Sequence, residues 1–265
     1  FGRYEDMELK IRVANPAGNV TIFVMSPAKR EDYPAISREL LCMEELHGEQ
    51  VGFVEKMQDG SFHMQMMGGE FCGNATRSFG YLLSMLSEEK AEDVWVDVSG
   101  SKKKLKVTVD MEKGTARTEM PLPMEMTEVS VKEEIYSMVV FEGICHIIVN
   151  SAPKAQEFVD ELIEEAKRVC PCDAYGVMFL EGSKMTPVVY VESTTSMVWE
   201  SSCGSGSMGA AVYLSKDADT GEFVYELHQP GGMIEAYVKK ENGKVFSCKM
   251  GGPVTISEEM KVDIK

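Results

Sequence analysis

Two stretches of this chain place a cysteine where a helix is about to begin. In "GGEFCGNATRSFGYLL", residues 68–83, Cys72 sits between small-residue turns and a run with helical apolar spacing. In "SSCGSGSMGAAVYLS", residues 201–215, Cys203 stands in nearly the same setting. A helix start carries free backbone N–H groups and partial positive charge, so it attracts anions and stabilises a thiolate. A cysteine there is expected to titrate below its free value of about 8.5. One such residue points to a nucleophile; two in duplicated settings point to proton exchange at a stereocentre. One thiolate takes the α-hydrogen, the opposite thiol delivers a proton to the other face, and the configuration inverts. Gly73-Asn74-Ala75 and Gly204-Ser205-Gly206 let a substrate carboxylate approach bare N–H groups as it gains enediolate character in the carbanionic intermediate.

The other cysteines, Cys42, Cys145, Cys170, Cys172 and Cys248, read as small buried hydrophobes. Seven is an odd count with irregular spacing, a poor disulfide framework. Cys170-Pro-Cys172 lacks the two-residue spacer and the matching partners of a structural zinc site, so no metal is expected. His146 tempts as a base, but on the apolar strand "ICHIIV" it reads as a satisfied structural residue, as do His63 and His228; His47 reads as exposed.

The elements that must position the two thiols follow from periodicity. "LKIRVANPAGNVTIFVMS" predicts two strands around Asn15-Pro16-Ala17-Gly18-Asn19, and "YPAISRELLCMEEL" a surface helix. "EQVGFVEKMQDGSFHMQMMGG" predicts a hairpin at Asp59-Gly60. The helix after Cys72 should bury Ala75, Phe79, Leu82, Leu83 and Leu86, with strands to follow in "VWVDVSG", "KLKVTVDM" and "TARTEMPLP". The second half repeats this order: strand "ICHIIVN", helix "AQEFVDELIEEAKRV", strands "AYGVMFLEG" and "TPVVYVES", then Cys203 and its helix, and strands to the end. Gly52-Phe53-Val54-Glu55 aligns with Met178-Phe179-Leu180-Glu181, and Met120-Pro121-Leu122-Pro123 with Met250-Gly251-Gly252-Pro253. A period this long is no solenoid and predicts two similar domains facing each other. The boundary is expected near residues 123–128: a first domain over 7–125, and a second over 126–253. Residues 1–6 precede the alternating pattern and are expected to be a non-native leader outside the fold.

Composition excludes several classes. With 44% apolar and 26% charged residues the chain is globular, and it has no run able to span a bilayer and no signal-peptide pattern, so a cytoplasmic location is expected. Lys and Arg number 27 against 43 Asp and Glu, giving a net charge of −16, which argues against a nucleic-acid partner. A homodimer is compatible with the sequence.

These residues resemble the diaminopimelate epimerase superfamily of cofactor-independent amino-acid racemases and epimerases. The shared features are "NPAGN", "EQVGF", "CGNATRS", "GICH", "WESSCGSGS" and "QPGGMIEAYV", spread over almost all of residues 7–265. The resemblance implies an α+β fold of two pseudo-symmetric domains, each a β-barrel-like sheet around a central helix, with the final strand, 254–265, returning to the first. It also implies catalytic Cys72 and Cys203, and no pyridoxal phosphate. Within the superfamily the likeness is closest to the histidine racemases that supply D-histidine for staphylopine-type metallophores. Carried over, Asn19 and Gln50 line the pocket, while Gly73, Asn74, Gly204 and Ser205 hold the substrate carboxylate. Glu49 either accepts a hydrogen bond from an imidazole or is a solvated or capping carboxylate; Glu200 binds the substrate amine or only a backbone N–H. Two departures bear on the substrate. The diaminopimelate enzymes have an asparagine where this chain has Ile144, and an arginine for the distal carboxylate where "VESTTSMVWESSC" has none. A second carboxylate would then be buried without its partner, which disfavours diaminopimelate. The alternatives are the same chemistry on a hydroxyproline-like imino acid, a non-catalytic amino-acid-binding protein, or a redox sensor joining the two thiols.

Overall fold

The computed structural model describes residues 6–265, whose eighteen strands and four α-helices make a mixed α+β, sheet-dominated fold. The expected leader lies, apart from Asp6, outside the described residues, and the first strand starts at Met7. The chain divides into two compact units: the chain up to Thr118 together with Gly252–Lys265, and Glu119–Gly251.

In the first unit β1 (Met7–Asn15) pairs antiparallel with β2 (Thr21–Val24). The connecting turn needs positive φ at Ala17, Gly18 and Asn19 (63°, 82° and 53°), which small residues and asparagine tolerate best. α1 (Tyr33–Leu41) buries Tyr33, Ile36 and Leu40. β3 (Gln50–Lys56) runs parallel to β2 and forms the expected hairpin with β4 (Phe62–Met66) across Asp59-Gly60. α2 (Gly73–Leu86) then leads to β5 (Asp93–Val98), β6 (Leu105–Asp110) and β7 (Thr115–Met120), an antiparallel meander. Leu105, Val107 and Val109 alternate inward from β6 and meet Ala75, Phe79 and Leu82 of α2. Each of these valine, leucine and phenylalanine side chains contributes roughly 1.5–3 kcal/mol when fully buried. Leu86, expected on that apolar face, is half exposed because it ends the helix, one turn past Leu82.

The second unit opens with a hairpin of β8 (Glu125–Val131) and β9 (Glu134–Phe141), followed by β10 (Ile144–Val149). The amphipathic α3 (Gln156–Val169) buries Val159, Leu162, Ile163 and Ala166 and carries the chain to β11 (Ala174–Glu181), parallel to β10. β12 (Lys184–Val191) and β13 (Ser196–Trp199) continue antiparallel. α4 (Gly204–Leu214) is apolar on nearly all sides and buries Met208, Ala210 and Ala211 completely. β14 (Gly221–Gln229), β15 (Gly232–Glu241) and β16 (Lys244–Pro253) complete the antiparallel order. The chain then re-enters the first unit, where β17 (Thr255–Ile256) and β18 (Met260–Ile264) pair with β1, Ile264 opposite Met7. No helix among the described residues is long and apolar enough to cross a membrane.

Candidate active site

Cys72 is the N-cap of α2, in extended backbone (φ −134°, ψ 115°), and its sulfur accepts the Ala75 N–H at 3.5 Å. Its carbonyl starts the helix by accepting the Thr76 N–H and the Thr76 hydroxyl, the latter at 2.7 Å. Gly100 (φ 76°) lies so close to the Phe71 backbone that a Cβ there would stand 2.3 Å from Phe71 N, which seats the segment leading into the thiol. Gln50 brings a second donor. Its Nε2 lies 3.2 Å from Cys72 Sγ and 2.7 Å from both Asn19 Oδ1 and Thr21 Oγ1, so three acceptors share one amide. Glu49 accepts the Val20 N–H at 2.8 Å and so ties the turn carrying Asn19 to the start of β3.

Asn74 is buried, and its Oδ1 accepts a hydrogen bond from Arg77 Nε at 3.4 Å. Arg77, wholly buried, also donates to the carbonyls of Pro16 (2.9 Å), Gly252 (2.9 Å) and Pro253 (3.1 Å). One guanidinium thus latches the Asn15–Asn19 turn, the first turn of α2 and the returning chain. A planar fork with five donors can span such acceptors and a point-like ammonium cannot.

Cys203 caps α4 with the same backbone (φ −134°, ψ 116°), and its sulfur accepts the Gly206 N–H at 3.3 Å. Its backbone N–H donates to Gln229 Oε1 at 2.8 Å. Ser205 Oγ stands 3.7 Å from the thiol and 2.9 Å from His146 Nε2. The helix start is crowded: a Cβ on Gly204 would meet Met250 Sδ at 2.6 Å, and one on Gly206 would meet Met178 Sδ at 2.3 Å.

The expected lowering of the thiol pKa is not found. Burial pushes Cys72 above its ordinary range, and the Ala75 N–H and Gln50 amide oppose this without overcoming it. Burial and then the Glu200 carboxylate push Cys203 up strongly, against the Gly206 N–H and Ser205. Stripping water from a thiolate costs more than one or two N–H bonds return. His146 also departs from its reading as a satisfied core histidine: its Nδ1 has no hydrogen-bond partner among the described residues. Burial holds its pKa at about 3, against an ordinary 6.5. His63 bonds Asp97 and Gln65, while His47 and His228 are exposed.

The neutral His146 predicts a pH dependence of stability. Its contribution is fully present above the unfolded pKa of 6.5 and is lost as pH falls toward about 3, because only the unfolded chain takes the proton in that window. The slope is about 1 kcal/mol per pH unit. Urea unfolding of wild type and His146→Gln at pH 7 and pH 5 should show a larger loss in the wild type; identical losses would contradict the assignment.

Among the expected site residues, Asn19, Gln50, Cys72 and Asn74 gather around one helix start, and Glu200 and Ser205 around the other. Residues 8–262 match the family model described as the histidine racemase CntK N-terminal domain. The chain belongs to this histidine racemase family. A histidine racemase of Fusobacterium nucleatum is 34% identical over 264 residues, covering 94% of this chain and 95% of that protein. The histidine racemase of Staphylococcus aureus is 28% identical over 255 residues, covering 91% and 92%. Among solved structures, one described as a predicted epimerase from Pseudomonas aeruginosa superposes with a TM-score of 0.68 at 15% identity, over 97% of this chain and 99% of that one. The protein is thus an isomerase of the amino-acid racemase type.

Four side chains of this family member escaped the sequence reading: Thr21, Arg77, Ser207 and Gln229. Arg77, Ser207 and Gln229 lie within the motifs "CGNATRS", "WESSCGSGS" and "QPGGMIEAYV"; their roles depend on partners distant in the chain or on backbone carbonyls, which a motif does not show. A concavity of the second unit lined by Tyr136, Asn150, Lys154 and Tyr213 holds neither cysteine. No group of three or more His, Cys, Asp or Glu side chains that could hold a metal occurs among the described residues.

Proposed function

We propose that this protein interconverts L- and D-histidine without a cofactor, Cys72 and Cys203 serving as base and acid on opposite faces of the α-carbon. The observation that carries this reading is the pair of matched caps: in a histidine racemase-family chain, two thiols hold the N-terminus of two helices with the same backbone angles. In this account the domains are 7–125 with 254–265, and 126–253, related by pseudo-symmetry, and each carries one of the two thiols. The first-turn groups of Gly73, Asn74, Gly204 and Ser205 hold the carboxylate as the carbanion forms, and closure excludes water. Asn19 and Gln50 line the pocket. Glu49, whose Oε2 already accepts the Val20 N–H, turns its remaining lone pairs to the imidazole, and Glu200 takes the substrate amine.

Raised thiol pKa values suit this chemistry. A thiolate that is costly to bury is a stronger base, and a thiol that resists ionisation keeps the proton it must deliver. The absence of arginine before Cys203 favours a substrate with one carboxylate over diaminopimelate. The enzyme works on a small molecule in the cytoplasm, without a nucleic-acid partner. Incubation of the reduced protein with a panel of L-amino acids, followed by chiral separation, tests the substrate. Conversion of L-histidine well ahead of proline, hydroxyproline and diaminopimelate is expected; preference for any of these would overturn the histidine assignment, and binding without conversion would make the protein a binding module.

A further inference from the structure

We propose that Gln229 is a positioning residue for Cys203, fixing the backbone of the thiol's own residue with both ends of its side-chain amide. The inference rests on the reading that Cys203 is catalytic. Gln229 ends β14 and is only 8% exposed. Its Oε1 accepts the Cys203 N–H at 2.8 Å, its Nε2 donates to Ser207 Oγ at 2.9 Å, and Ser207 Oγ donates to the Cys203 carbonyl at 2.6 Å. The three bonds close a ring that holds the N–H and the C=O of one residue. The reverse amide orientation would set an N–H against the Cys203 N–H, so the donor order is determined. The turn after Gln229 is pinned as well, by Gly231 N–H to the Ser201 carbonyl at 2.7 Å.

This ring answers a specific need. Ser202 and Cys203 are buried, so the Cys203 N–H has no water to turn to, and it lies upstream of the helix and needs an acceptor from outside it. With that N–H committed to Gln229, the Gly204 and Ser205 N–H groups are the ones left for a carboxylate. The first unit uses its glutamine differently: Gln50 donates to the Cys72 sulfur itself. The two glutamines therefore act by unlike means, Gln50 on the Cys72 sulfur and Gln229 on the Cys203 main chain, while the bonds from the helix itself are alike. Proton transfer to carbon tolerates little displacement of the sulfur, and a misplacement of about 1 Å costs about 10²-fold in rate.

The test compares Gln229→Leu with wild type in histidine racemisation, thermal unfolding and iodoacetamide alkylation resolved at each cysteine by mass spectrometry, with Cys203→Ser assayed alongside. The expected result is a fall of about 10²-fold in kcat with KM within about threefold, as for an interaction that counts in the transition state. The alkylation rate at Cys203 should change several-fold while that at Cys72, in the other unit, stays constant. Should Gln229→Leu not fold, Gln229→Glu takes its place. It keeps the acceptor, loses the donor to Ser207, and should lower kcat and move its pH profile upward. Wild-type kcat in the folded variant, or equal alkylation changes at both cysteines, would overturn the inference. An inactive Cys203→Ser beside a fully active Gln229→Leu rejects the inference alone, whereas a fully active Cys203→Ser rejects it together with the two-thiol reading.

Discussion

Replacing Cys72 or Cys203 by serine is expected to lower histidine racemisation by about 10²–10⁴-fold in both directions, the range that one positioned acid–base group supplies. A serine hydroxyl is close to the thiol in shape and a better helix cap, so Ala75 N–H and Gly206 N–H keep their acceptors. The folded state should therefore be retained and its melting temperature held or raised. What serine lacks is acidity: its alkoxide is out of reach where burial already pushes a thiol upward. The double variant should be little worse than either single one, because both groups act in one step and their losses do not add. Rates from circular dichroism and melting curves of the three variants check this; a single variant at the wild-type rate would remove that cysteine from the mechanism.

Arg77→Met is expected to destabilise the protein by about 3 kcal/mol and to depress activity with it. The substitution leaves the carbonyls of Pro16 and Gly252, both buried residues, without their donor, and removes a third bond to the exposed Pro253. Relief from burying the guanidinium offsets part of the loss, but each carbonyl left unsatisfied costs about 1–3 kcal/mol. The same change removes one partner of Asn74 and one tie to the turn that carries Asn19, so the surroundings of Cys72 loosen. Arg77→Lys should recover only part of the stability, since one ammonium cannot reach all the acceptors. Urea unfolding measures both variants; a methionine variant as stable as wild type would show that the latch contributes nothing.

Much of the architecture is legible in local patterns. Alternation marks β6, helical spacing marks α3, and Asp59-Gly60 marks the β3–β4 hairpin. The β8–β9 hairpin hides because its turn is Lys132-Glu133, both at positive φ (51° and 68°) without glycine or asparagine to announce it. The helix starts at Cys72 and Cys203 are visible in their small-residue contexts, whereas Asn19 and Gln50 enter only through the family resemblance. The direction of the thiol shifts is not, because helix position favours a thiolate while burial opposes it, and burial depends on the whole fold. His146 shows the same limit: its strand and burial are readable, while the bond to Ser205 and the unpartnered Nδ1 depend on residues far along the chain. Arg77 reads as an ordinary helix residue until its carbonyl partners come round from both ends of the first unit.

The central claim, two acid–base groups acting on opposite faces of one α-carbon, is tested most directly by isotope transfer. L-Histidine is incubated with the reduced enzyme in D₂O, and the two enantiomers are separated early in the reaction and weighed for deuterium at Cα. Two thiols predict D-histidine carrying one solvent deuterium while the recovered L-histidine stays protiated, since the proton removed by one sulfur is not the one delivered by the other. Deuterium in recovered L-histidine at the same level as in the product would mean a single base serving both faces, and would contradict the account.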